Sequence, residues 1–110
     1  MDEIKTFADL DLSPEVMDAM KKMGVKRPTT IQQKAIPLLM DNFSVIAKAP
    51  TGTGKTFAFG IPILEYLNLD SKFVQALILC PTRELALQIT TELKGLAKYI
   101  KGFRIAALIG

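Results

Sequence analysis

Ala49-Pro50-Thr51-Gly52-Thr53-Gly54-Lys55-Thr56 is the stretch on which the fold turns. It follows a short apolar run at residues 43–47, rich in strand-forming side chains, and it opens a segment with Phe59, Ile63, Leu64 and Leu67 at helical spacing. A glycine-rich turn between a strand and a helix is where backbone N–H groups and the positive end of a helix converge on phosphate oxygens. Gly52 and Gly54 let the backbone turn inward around an anion. Lys55 can reach outer phosphates, and the Thr56 hydroxyl is placed to ligate magnesium. Ala49 stands where the strict pattern has glycine, but the groups that the chemistry uses are all kept.

Working outward toward the N-terminus, Pro37 should kink or divide a helix that carries Ile31, Ala35 and Ile36. A threonine of the Lys26-Arg27-Pro28-Thr29-Thr30 connection caps that helix, because the residue before a proline is driven out of the α region. Ser13 and Pro14 read as N-cap and first residue of an earlier helix that buries Val16, Ala19, Met20 and Met23 and ends at Gly24. An extended lead containing Phe7 precedes it.

Toward the C-terminus, Gly60 and Pro62 predict irregularities in the helix after the turn, and the polar residues 68–72 end it. Residues 76–79 are a second strand, closed by Pro81. Leu85, Ala86, Ile89, Leu93, Leu96 and Ala97 then mark an amphipathic helix closing near Gly102, and residues 105–109 are a third strand-like run. Strand, helix, strand, helix, strand is the order of an α/β fold with a parallel sheet and right-handed crossovers. Ligands gather beyond the carboxyl ends of such strands, so the loops opening at Pro50 and Pro81 should share one edge.

Composition bounds the alternatives. The chain has 110 residues, 49% hydrophobic and 23% charged, which excludes a disordered chain and fits a single small core. The net charge of +3 is too small to name a polyanionic partner by itself. Lys94, Lys98, Lys101 and Arg104 form a run with no acid inside it, which reads equally well as a solvated helix end. With no histidine and Cys80 as the one cysteine, zinc sites built on these ligands, histidine triads and an internal disulfide are excluded. Cys80 reads as a strand-end filler. The opening residues lack the pattern of a signal peptide and no apolar stretch is long enough for a membrane span, so a cytosolic or nuclear location with no membrane partner is expected.

Three blocks in order carry a family resemblance: the upstream Phe7 with Gly24-Val25-Lys26-Arg27-Pro28-Thr29-Thr30-Ile31-Gln32, the turn at 49–56, and Pro81-Thr82-Arg83-Glu84-Leu85-Ala86 with Gln88. Together they resemble the Q motif, Walker A motif and motif Ia of DEAD-box ATP-dependent RNA helicases. The resemblance implies a RecA-like P-loop NTPase fold, here a truncated first domain of about three strands with flanking helices. Residues 1–42 would be the Q-motif region and 43–110 the region of the phosphate loop and motif Ia.

The same resemblance implies the site. Gln32 would read adenine through a side-chain amide that both donates and accepts, Phe7 would pack against the base, and Arg27 belongs to the same nucleotide-binding block. Pro50, Thr51, Gly52, Thr53, Gly54, Lys55 and Thr56 would hold the phosphates of ATP or ADP, with Thr56 on Mg2+. Pro81, Thr82 and Arg83 would hold the backbone of single-stranded RNA without reading bases, and Gly110 would open the family's next RNA-binding glycine pair.

Hydrolysis in this class also needs an acid at the end of a further strand. Asp41 and Glu65 follow apolar residues but lie in helical patterns beside prolines, and no Asp-Glu-Ala-Asp run occurs. The expectation is therefore a nucleotide- and RNA-binding piece that does not hydrolyse ATP alone. The alternative is a stand-alone phosphate or nucleic-acid binding module. In either case an open sheet edge should promote self-association.

Overall fold

The computed structural model describes residues 6–41, 44–45 and 54–109. A 3-10 turn over Phe7–Leu10 leads into four helices: α1 (Pro14–Lys22), α2 (Thr30–Met40), α3 (Lys55–Glu65) and α4 (Arg83–Leu96). Among the described residues no helix is long and apolar enough to cross a membrane, and no cluster of three or more His, Cys, Asp or Glu could hold a metal ion.

The helix starts follow from their first residues. Ser13 and Thr29 are the N-caps of α1 and α2, and Thr82 is that of α4, its hydroxyl accepting from Leu85 N–H at 3.1 Å. Ser13 departs from the usual cap in one respect. Its backbone N–H and its hydroxyl both donate to Glu65 Oε1 of α3, each at 2.9 Å, so a carboxylate from the end of α3 holds the start of α1.

α3 is the centre. It packs on α2 and on α4, while α1 packs on α4. Its Ala58, Gly60, Ile61, Pro62 and Leu64 are buried, a wider face than the expected 59/63/64/67 stripe, because helices cover it from two sides. At Gly60 an added Cβ would lie 2.6 Å from Leu93 Cδ2, so the missing side chain is what lets α3 and α4 approach. Val16 and Met20 of α1, Ile36 of α2, Ile61 of α3 and Leu96 of α4 close the core at 2% exposure or less.

Three expectations need correcting. Pro37 does not divide its helix, and α3 likewise runs through Gly60 and Pro62. Each proline removes one donor, and the extensive packing of α2 against α3 outweighs that loss. The Phe7 lead is a 3-10 turn with the Phe7 ring in the core, not an extended segment. α4 stops at Leu96, well before Gly102, because Ala97 turns the chain with N–H bonds to Leu93 and Gly95 carbonyls.

The strand runs differ most. Among the described residues none forms a ladder: residues 76–79 and 105–109 make no backbone hydrogen bonds there, and only Ser44 and Val45 of the first run are described. A ladder needs a neighbour, and the run expected beside them falls mostly outside the described residues. Their burial nevertheless has the period of a strand. Ile78 and Cys80 pack against the helical core while Leu77 and Leu79 face out, and Phe103 and Ile105 pack inward while Arg104 and Leu108 face out.

Candidate functional site

The Thr29-Thr30-Ile31-Gln32 turn is a capping box. Gln32 N–H donates to Thr29 Oγ1 at 3.4 Å, and Gln32 Oε1 accepts from Thr29 N–H at 2.9 Å. The other end of the same amide leaves the helix: Gln32 Nε2 donates to Gly54 O at 3.1 Å. One buried side chain, 2% exposed, thus ties the start of α2 to the residue that opens α3.

Gly54 meets two demands at once. Its φ of +82° lies in the left-handed region, and a Cβ there would fall 2.2 Å from Gln32 Nε2. Any side chain would therefore be strained in its backbone and would displace the amide. Gly54 O also accepts from Ala58 N–H at 3.2 Å, beginning the ladder of α3.

Lys55 and Thr56 form the first turn of α3, where the backbone N–H groups lack intrahelical partners. No acid occupies that turn, and Lys55 is exposed. An anion placed there meets free amides, the positive helix end and an ammonium group. These groups fit the charge of a phosphate chain with its magnesium, and the Gln32 amide, packed where a Gly54 side chain would stand, fixes the residue before them.

Of the other sequence-derived nucleotide contacts, Arg27 is exposed on the connection before α2, whereas Phe7 is in the core at 3% exposure. Pro50, Thr51, Gly52 and Thr53 lie outside the described residues, as does Gly110, and with them the expected shared edge of the two loops.

The second group sits at the start of α4. Pro81, Thr82 and Arg83 are all exposed there, with Glu84 in the first turn. Thr82 Oγ1 accepts the Leu85 N–H, which leaves its O–H free to donate outward. Exposed hydroxyl, guanidinium and first-turn amides together suit the oxygens of a phosphodiester.

Asp41 is the C-cap of α2 and Glu65 the last residue of α3, so both belong to helix ends, as their patterns suggested. Two contributors were missed. Thr29 was visible as the first member of a Thr-x-x-Gln pattern. Glu65, 52 residues from Ser13, left no local trace.

Comparison with known proteins gives a consistent result. Residues 29–110 match the DEAD/DEAH box helicase family. The chain is 50% identical over 105 residues to the DEAD-box ATP-dependent RNA helicase CshA of Geobacillus kaustophilus, covering 96% of this chain and 22% of that protein. Among solved structures it resembles the RNA helicase Prp28 from Chaetomium thermophilum bound to ADP, with a TM-score of 0.89 and 34% identity over 100% of this chain and 28% of that one. It also resembles S. cerevisiae Dbp5 bound to RNA and ADP BeF3, with a TM-score of 0.83 and 37% identity over 88% of this chain and 25% of that one. The chain spans less than a quarter of the length of the curated relative.

Proposed function

The chain belongs to the DEAD/DEAH box helicase family, and from that premise we propose that it is the nucleotide-gripping portion of an ATP-dependent RNA helicase. The observation that carries this reading is the Gln32 amide, bonded to Thr29 on one side and to the carbonyl of Gly54 on the other. It couples a base-reading position to the phosphate position.

In this reading residues 50–56 surround the phosphates: the first-turn amides of α3 and Lys55 neutralise charge on the outer oxygens, and Thr56 would hold magnesium. The metal, when bound with the nucleotide, supplies further neutralisation of those oxygens. The Gln32 amide has two N–H groups and two lone pairs in total, so one of each remains for an adenine edge after the Thr29 and Gly54 bonds. Arg27, exposed before α2, stands on the base side, whereas Phe7 stays in the core. Pro81, Thr82 and Arg83 hold single-stranded RNA by its backbone, with Gly110 as a further contact. The runs at 43–47, 76–79 and 105–109 serve as strands of a RecA-like sheet. A cytosolic or nuclear setting suits a protein acting on RNA.

These 110 residues contain no Asp-Glu-Ala-Asp sequence, so binding without turnover is expected of them, and RNA-coupled hydrolysis belongs to a longer chain that supplies the acid. A second reading, a non-catalytic phosphate or nucleic-acid binding module that self-associates, is favoured by the large apolar side chains left exposed at Leu77, Leu79 and Leu108.

Calorimetry with magnesium ADP and with magnesium pyrophosphate tests the first reading. Lys55→Ala should abolish both, whereas Gln32→Ala should weaken ADP by about tenfold or more and leave pyrophosphate nearly unchanged. Equal loss of both ligands in Gln32→Ala would make Gln32 a prop for the loop and defeat the base-reading assignment.

A further inference from the structure

The C-terminal ends of α1 and α4 meet on a surface that neither nucleotide nor motif Ia contacts explain. A Cβ built on Gly95 of α4 would lie 3.2 Å from Met23 Cε, so the Met23 side chain lies against the last turns of α4. Just beyond α4, Tyr99 projects at 42% exposure and lines two open clefts, of about 400 Å³ and about 460 Å³. Lys21 and Lys22 share the first cleft with it, and Lys101 the second. Lys98 Nζ stands 5.8 Å from the ring centroid.

The charge around that ring is unbalanced. Asp18 faces the first cleft, and Glu15 and Glu65 the second, but Glu65 is spent on Ser13. The side-chain ammonium groups of Lys21, Lys22 and Lys101 enter no ion pair or hydrogen bond among the described residues. Lysines at a helix C-terminus offset its dipole, which accounts for Lys21, Lys22 and Lys94. It does not account for Lys98 and Lys101, beyond the last turn, or for an aromatic ring held in the open among them.

We propose that this surface is a second, sequence-independent contact for single-stranded nucleic acid, with a base stacked on Tyr99 and backbone phosphates on Lys21, Lys22, Lys98 and Lys101. An exposed ring ringed by ammonium groups is the pairing that grips a flexible polynucleotide: the π-face accepts any base, and the lysines follow the backbone. It is separated from Thr82 and Arg83 by the whole of α4, whose 14 residues span about 21 Å. Thr91 and Lys94 are exposed on α4 between the two ends, with Glu84 and Glu92 as the acids of that helix.

Fluorescence anisotropy of a labelled oligouridylate with the 110-residue chain tests this. All substituted side chains are exposed, and far-UV circular dichroism checks that each variant stays folded. Tyr99→Leu and the Lys21→Glu/Lys22→Glu pair should each weaken binding by about fivefold or more, with Tyr99→Phe close to wild type. The charge reversal should also make the salt dependence shallower, by about 0.7 in log–log slope per lost phosphate contact. Unchanged binding in Tyr99→Leu and in the lysine pair would overturn the proposal. Arg83→Ala reports on motif Ia separately: its failure to weaken binding would count against that assignment while leaving this one standing. Polyglutamate competing as well as RNA of equal charge, or anionic vesicles bound through the same lysines with RNA binding unaffected, would also overturn it, in favour of an acidic protein or a membrane surface.

Discussion

Around Gln32, two small changes separate effects that a simple truncation would merge. Gln32→Glu keeps an oxygen for the Thr29 N–H but sets a second oxygen against Gly54 O, where an N–H now donates at 3.1 Å. The capping box should survive and the tie to α3 should not. Gly54→Ala attacks the same contact from the other side, adding about 1–2 kcal/mol of left-handed backbone strain and forcing the Gln32 amide aside. Both variants are therefore expected to lower stability by about 1–2 kcal/mol in urea denaturation. Both should also weaken magnesium ADP more than Lys34→Ala, an exposed change on the same helix. Nucleotide affinity unaltered in both would show that the Gln32–Gly54 bond has no part in arranging the phosphate site.

Among the elements, α1 depends on a partner that its own sequence does not contain. Glu65 Oε1 accepts from the Ser13 N–H and hydroxyl at 2.9 Å each, satisfying an otherwise open helix start. Glu65→Ala should destabilise the fold by about 1–2 kcal/mol, and Ser13→Ala by less, since its backbone N–H still reaches Glu65. In the double variant the Ser13 contribution should vanish, because the hydroxyl has lost its acceptor, and a thermodynamic cycle measured by urea denaturation reads that coupling. Additive losses would mean that Ser13 acts through water rather than through Glu65. The contrast explains how much the sequence told. Ser13-Pro14 announced α1 and a threonine before Ile31 announced α2 because capping is local, and the turn at Gly54-Lys55 announced the start of α3 for the same reason. Pro37 does not divide α2, because the penalty of a proline is local while the packing that offsets it is not. The Gln32–Gly54 and Ser13–Glu65 bonds span 22 and 52 residues, and no spacing rule reaches that far. The three blocks made the family legible, while the sheet was not, since strands exist only as pairs.

Over the whole molecule the helices shield one side of the strand-like runs and nothing among the described residues shields the other. Leu77, Leu79 and Leu108 are 77%, 86% and 92% exposed, next to Phe73 at 85% and Val74 at 87%. Their alternation with the inward-facing Ile78, Cys80, Phe103 and Ile105 gives the pattern of a sheet covered on one face only. The Cα radius of gyration, 13.7 Å, is close to the value of about 13 Å for a closed domain of this length, so the exposure does not come from a loose chain. An apolar face beside backbone groups that have no partners among the described residues favours a second copy, which offers both cover and a hydrogen-bonding edge. The 110-residue chain is accordingly expected to sediment as a concentration-dependent oligomer. Leu77→Lys/Leu79→Lys/Leu108→Lys should shift it to monomer with its helical circular dichroism intact, because none of the three side chains belongs to the helical core. Retained magnesium ADP binding in that monomer would place the nucleotide site within one chain, as the Gln32–Gly54 link implies. A wild-type chain that stays monomeric at all accessible concentrations would refute the pairing, and would mean that the outward leucines are too dispersed to outweigh the entropy of association.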